Sequence, residues 1–226
     1  MSIAADAPIT ITAFDWVPDF ARGQVRDLRV RWALEEAGQP YRVRFLAQGE
    51  HKAPPHIARQ PFGQVPTYEE GDLTLFESGA IVLHIAECFG GGLLPKESAG
   101  RARAIEWMFA ALNTVEPPLS DLAIATLFEA DQPWSKPRLP AIRARIDERL
   151  TDLSRRLGDR EWIEGEFSAG DLLMVAVLRM LRETPDLTRH RNLADYVARG
   201  EARPAFRRAL ADQLAGFTGA PPPDFA

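Results

Sequence analysis

The chain has 226 residues, 46% of them hydrophobic and 26% charged, which is enough for one large packed domain or two small ones. The formal net charge of −5 comes without a block of like charges, and lysine occurs only at Lys52, Lys96 and Lys136, so nucleic acid is excluded as the expected partner. A lone cysteine, Cys88, excludes an internal disulfide, and neither a secretion signal nor an apolar run of roughly 18 residues occurs, so no membrane is expected and the cytoplasm is the expected compartment.

The first ninety residues alternate between strand and helix patterns. Residues 9–14 are apolar and β-branched and read as a strand. An irregular loop, residues 15–24, holds Pro18 and Gly23. Across residues 25–37 the apolar positions Val25, Leu28, Val30, Trp32, Ala33 and Leu34 recur at helical spacing, and Gly38 ends the helix. Residues 41–45 alternate with period two. After a polar, proline-bearing stretch at 48–61, two short strands at 65–69 and 73–76 flank Glu70-Gly71-Asp72, a hairpin signal. An apolar helix at 78–89 stops at Gly90, Gly91 and Gly92.

Beyond residue 98 the strand signal disappears. Residues 101–128 read as a long helix, bent near Pro117-Pro118. Residues 140–157 carry an apolar stripe of Ile142, Ile146, Leu150, Leu153 and Leu157. Residues 172–181 are nearly all apolar and read as a buried central helix. Two shorter helices follow, at 192–200 and 204–214, and residues 221–226 read as a loose tail. The expected organisation is an α/β domain at 1–90, a glycine-rich linker at 91–98 and an all-helical domain at 99–226.

Three short motifs stand in order along the chain. Gln64-Val65-Pro66 precedes the third strand. A cis bond at Pro66 would turn the Val65 amide and carbonyl outward to pair with an extended peptide; an ordinary trans proline entering a strand is the plain alternative. Glu77-Ser78 follows the fourth strand, where a helix start and a hydroxyl suit a carboxylate and Glu77 suits an ammonium; a simple N-cap is the plain alternative. Ser168-Ala169-Gly170-Asp171 is a capping-box pattern, flanked by Phe167 and Leu172 as a hydrophobic staple, and is a folding signal.

Together these motifs resemble the cytosolic glutathione S-transferase family. The text from Leu28 to Gly38 resembles the family's first helix, Pro61-Phe62-Gly63-Gln64-Val65-Pro66 its glutathione loop, and Leu73 to Ile81 its fourth strand and third helix. The resemblance spans roughly residues 9–215 and is densest in the first ninety. It implies a thioredoxin-like domain followed by an all-α domain. It also implies glutathione as co-substrate, held by Val65 and Pro66, by Glu77 and Ser78 at the γ-glutamyl end, and by Lys52 and Gln64 toward the glycyl end. A homodimer and a detoxifying transferase, adding glutathione to a small hydrophobic electrophile or a peroxide, follow from the same resemblance.

The sequence departs from the family at the thiol. The family activates glutathione with Tyr, Ser or Cys near the first helix, but none of the three occurs between residues 13 and 40. A free thiol has a pKa of about 8.5, and lowering it by two units needs roughly 2.7 kcal/mol of thiolate stabilisation. Arg22 and Arg26 are the cations of the loop. The expectation is that one of them, with the amides at residues 24–26, replaces the hydroxyl. Two other readings stand beside it: a non-catalytic binding protein of the same fold, and a glutathione-dependent isomerase.

The family's electrophile pocket lies between its domains, and the resemblance places Trp16, Trp107, Met108, Ala111, Asn113 and Thr114 there. No metal is expected. His51, His56, His84 and His190 lack zinc-ligand spacing, and the His84/Cys88 pair is too small a donor set.

Overall fold

The structure, a computed structural model, describes residues 3–182 and 184–223. Of the expected loose tail, residues 224–226 lie outside the described residues. The chain divides into two compact units, Met1–Leu94 with Ala202–Ala226, and Pro95–Glu201.

The first unit opens with β1 (Ile9–Phe14), followed by α1 (Asp27–Glu36), β2 (Tyr41–Leu46) and a short α2 (Pro54–Ile57). A hairpin of β3 (Thr67–Glu70) and β4 (Leu73–Phe76) then leads into α3 (Ser78–Phe89). The sheet order is β2-β1-β3-β4, with β1 and β2 parallel and the β1/β3 and β3/β4 pairs antiparallel. This is the thioredoxin-like α/β arrangement that the sequence predicts. Ile9, Ile11 and Ala13 of β1 are buried, as are Trp32, Ala33 and Leu34 of α1 and Ile81, Val82 and Ile85 of α3. Gly38 takes φ 65°, the left-handed geometry that ends α1 without a Cβ clash. The third strand begins at Thr67, two residues later than its apolar text suggests, because Pro66 has no N–H to give a ladder.

The second unit is helical: α4 (Ser98–Ala110), α5 (Glu116–Ala123), α6 (Ser135–Leu157), α7 (Ala169–Leu178), α8 (Pro185–Thr188) and α9 (Arg191–Ala202). The expected long helix of residues 101–128 is divided by π turns at Ala111–Val115 and Ile124–Phe128. Pro117 and Pro118 explain the first: they offer no N–H to the carbonyls one α-turn earlier, and the ladder shifts so that the Glu116 N–H reaches the Ala111 carbonyl.

α7 is the buried helix. Its start carries the predicted capping box: the Asp171 carboxylate accepts from the Ser168 N–H and hydroxyl, both at 3.0 Å, while the Ser168 hydroxyl accepts from the Gly170 N–H at 3.2 Å. Asp171 also accepts from the Ile163 N–H at 3.0 Å and the Tyr196 hydroxyl at 2.9 Å. Phe167, the outer residue of the expected staple, packs edge-on against Trp162 at 4.8 Å.

The expected division carried the helical domain to residue 226. In the structure α10 (Pro204–Ala215) groups with the first unit instead, because its contacts run to α1. Phe206 meets Trp32 edge to face at 4.9 Å, a geometry that adds about 1 kcal/mol to simple burial. Arg203 grips the Glu36 carboxylate with two bonds of 2.6 and 2.9 Å. Arg208 reaches Glu35 at 2.6 Å, and Gln213 donates to Asp27 at 2.6 Å and to the Val25 carbonyl at 3.1 Å. The last of these fixes the backbone just where α1 begins.

Asp212 of α10 has its carboxyl raised above the usual range, first by burial and next by the charge of Glu35, with Arg31 and Arg208 opposing. A raised carboxyl contributes stability that is complete below its unfolded pKa and is lost as pH rises through the folded value. Asp212→Asn is therefore expected to melt above the parent at pH 8, with the gap closing toward pH 4 in paired thermal melts.

Candidate functional site

The β3/β4 register brings two of the sequence motifs together. Thr67 pairs with Phe76, so Val65-Pro66 and Glu77-Ser78 leave the end of the ladder side by side. The Val65–Pro66 bond is cis. The neighbouring β1/β3 ladder reaches Ile11 and Tyr68, and the Thr67 N–H goes to the Thr12 hydroxyl at 2.7 Å. Thr12 is fully buried and its oxygen also meets the Thr67 hydroxyl at 3.1 Å, so this contact anchors the first residue of β3. Among the described residues no hydrogen bond takes up the Val65 N–H or carbonyl.

The loop leading to Val65 is pinned from below. The buried His56 ring meets the Gln64 carbonyl through Nε2 at 2.7 Å, and the buried Gln60 side chain accepts from the Phe62 N–H at 2.6 Å. Lys52 donates to the Phe62 carbonyl at 3.0 Å, so its ammonium sits on this loop beside exposed Gln64. Gly63 is required here. Its φ is 60°, and a Cβ would lie 2.7 Å from the Lys52 side chain and 2.8 Å from the His51 carbonyl.

Glu77 is exposed and holds φ 70°, which is uncommon for a residue with a side chain. It caps the twelve-residue α3, whose first turn presents N–H groups without helical partners. Ser78, the first residue of α3, is buried, and its hydroxyl accepts from the Arg29 guanidinium at 3.3 Å. Arg29 is only 5% exposed.

The loop between β1 and α1 holds the two expected cations. Arg22 lies 3.3 Å from Asp19, and its guanidinium sits 5.8 Å from the Phe217 ring centroid. Arg26 is exposed at the N-cap of α1. The first helical bonds run from Leu28 to Val25 and from Arg29 to Arg26, so the N–H groups of residues 25–27 precede the helical ladder. Trp16 is half-buried, with its carbonyl accepting from Gln48 at 2.9 Å.

In the second unit, Trp107 donates its indole N–H to Glu164 at 2.9 Å and carries the Arg156 guanidinium over its ring at 5.7 Å. Arg156 and Arg103 both pair with Glu164, so this tryptophan sits in a local ionic cluster. Burial opposes the Glu164 charge, but the Trp107 and Arg156 donors win and hold its carboxyl below the usual range. Met108 and Ala111 are buried. Asn113 and Thr114 are exposed, and with Ala111 they stand in the first π turn. Among the described residues no group of three or more His, Cys, Asp or Glu is placed to hold a metal ion.

Sequence reasoning missed Arg29, His56, Gln60 and Thr12. Arg29 lies inside a run whose apolar spacing drew attention to the opposite face. Its one visible signal is a charged residue between Leu28 and Val30, both buried, in a helix that is buried on nearly every side. Thr12 acts on a backbone group 55 residues away, and His56 and Gln60 act on irregular loop backbone eight and two residues on, so none of these pairings leaves a helical or strand period.

Comparison with known proteins adds to this geometry. Residues 20–87 match the family model described as the glutathione S-transferase N-terminal domain. The chain is similar to glutathione S-transferase 4 of Zea mays, 33% identical over 172 residues that cover 69% of this chain and 73% of that protein. It is similar to glutathione S-transferase F11 of Arabidopsis thaliana, 30% identical over 178 residues, 74% of this chain and 82% of that one. Among solved structures it resembles a glutathione transferase family member from Pseudomonas fluorescens with two glutathione bound. The two superpose with a TM-score of 0.80 at 25% identity, covering 92% of this chain and 94% of the other.

Proposed function

The chain belongs to the glutathione S-transferase family, and on that premise we propose that it binds glutathione on its first unit, holds it as thiolate and adds it to a small hydrophobic electrophile or a peroxide. One observation carries the reading: the open backbone of Val65 and the start of α3 at Glu77-Ser78 leave the β3/β4 ladder together. An extended peptide adds to Val65 as a further strand segment. Its γ-glutamyl end then meets both charges it needs, with the carboxylate on the Ser78 hydroxyl and the α3 amides and the ammonium on Glu77. Gln64 and Lys52, on the loop pinned by His56 and Gln60, serve the glycyl end.

For the thiol the reading relies on Arg26, with Arg22 second, and on the amides at the start of α1. For the electrophile, the second unit offers Ala111 and Asn113 in its π turn, a distortion common at functional sites, and the buried Met108 of α4. Trp107 is the weakest of the proposed pocket residues, because Glu164 and Arg156 already occupy it. Trp16 belongs to the loop of the first unit. A homodimer and a cytoplasmic location complete the reading, on the family's pattern.

Equilibrium titration with glutathione tests the binding. The parent protein is expected to bind, and Ser78→Ala to weaken binding about tenfold, the usual size of a lost hydrogen bond to a charged group. No binding by the folded parent overturns the proposal. The absence of Ser, Cys and Tyr from residues 13–40 specifically favours a second reading, a non-catalytic glutathione-binding protein. Binding without a thiolate is its signature. Turnover of an unsaturated keto acid without net glutathione consumption would instead indicate the isomerase.

A further inference from the structure

We propose that Arg29 is the positioning residue for the γ-glutamyl carboxylate: it fixes the Ser78 hydroxyl so that its proton is directed to the ligand. This rests on the glutathione-binding reading above and goes beyond it, since it assigns a role to a residue of α1 rather than to the loop or α3.

A serine hydroxyl has one proton to give and two lone pairs to accept with. In this protein Arg29 Nη1 donates to Ser78 Oγ at 3.3 Å, both side chains being buried. The guanidinium has no acceptor, so the direction of that bond is certain. With one lone pair held, the hydroxyl proton must point away from Arg29. Ser78 is the first residue of α3 and follows exposed Glu77, so the start of α3 is where a ligand carboxylate would meet that proton. Donation from a cation also polarises the O–H and makes it a better donor to an anion.

Arg29 thus acts through Ser78, and the inference does not need it to touch the ligand.

The experiment compares two peptides on the intact chain. One is glutathione. The other is 4-aminobutyryl-cysteinyl-glycine, which lacks only the γ-glutamyl carboxylate. The parent is expected to bind glutathione at least tenfold more tightly than the analogue. In Arg29→Met that ratio is expected to fall to about a third of the parent's or less, while affinity for the analogue stays within about threefold. A merely structural Arg29 would weaken both peptides alike and leave the ratio unchanged. Arg29→Lys covers the case in which the methionine variant does not fold: lysine keeps the charge in the core but is too short for the bond, so the ratio is again expected to fall. A parent-like ratio in either folded variant overturns the inference and leaves the glutathione reading intact. A parent that binds neither peptide overturns both.

Discussion

Asp171→Ala is expected to destabilise the chain by about 4 kcal/mol, because it removes the acceptor that closes the start of the buried helix. Asp171 is 1% exposed and receives the Ile163 N–H, the Ser168 N–H, the Ser168 hydroxyl and the Tyr196 hydroxyl. After truncation the Ser168 hydroxyl can rotate and the Tyr196 hydroxyl keeps the Asp171 backbone carbonyl at 3.4 Å, but the Ile163 and Ser168 N–H groups stay buried without this partner, each at a cost of about 1–3 kcal/mol. For a chain of this size that corresponds to a drop in melting temperature of about 12 °C. Asp171→Asn is expected to cost about half as much. Its carbonyl oxygen still accepts from Ile163 and Tyr196, but its amide group turns donors toward the donors of Ser168. Circular dichroism melts of the three proteins measure this. A loss under about 1 kcal/mol for Asp171→Ala would mean that Tyr196 and the 163–168 loop find other partners, and that the capping box is not what holds α7.

The same residue shows why parts of the fold are legible in the sequence. Ser168 and Asp171 are three residues apart, and their bond follows from that spacing alone. Gly38 ends α1, Gly71 turns the hairpin, and the spacing of Val30, Ala33 and Leu34 makes a helix face, each by a rule that acts within a few residues. The loop from Pro61 to Pro66 is legible for a related reason: it is continuous text whose local backbone is the feature that matters. What the sequence hides is partner choice at long range. The amphipathic text of α10 states that one face is buried but not against what; contacts such as Arg203 on Glu36, Phe206 on Trp32, Arg208 on Glu35 and Gln213 on Asp27 assign it to the first unit. The π turns were hidden differently. Pro117 and Pro118 announce a defect in the helix, but the ladder absorbs it one turn earlier, at Ala111, by a shift no residue there encodes. Arg29 combines both difficulties, being a charge in apolar text with its partner 49 residues away.

Glutathione bound to the parent protein is expected to show the thiolate ultraviolet band at neutral pH, with an apparent pKa roughly two units below the free thiol's 8.5. Arg26→Ala is expected to move that midpoint back up by about one unit, a tenfold loss of thiolate well below the midpoint. Arg26 is the stronger of the two candidates for a geometric reason. It stands at the N-cap of the ten-residue α1, where the N–H groups of residues 25–27 precede the helical ladder. Arg22 has Asp19 at 3.3 Å and the Phe217 ring beneath it, and both hold its guanidinium away from a new anion. Arg22→Ala is therefore expected to shift the midpoint by less than half as much. Gln213 gives an independent handle, since it holds the Val25 carbonyl and the Asp27 carboxylate from α10. Gln213→Ala is expected to loosen the α1 start and raise the midpoint without removing any charge from the loop. If the double Arg22→Ala/Arg26→Ala variant binds glutathione with the parent's midpoint, the cations are not the activators and the helix-start amides must supply the stabilisation by themselves. If the parent binds glutathione with its thiol at the free value, the missing hydroxyl has not been replaced, and the chain is a glutathione-binding protein rather than a transferase.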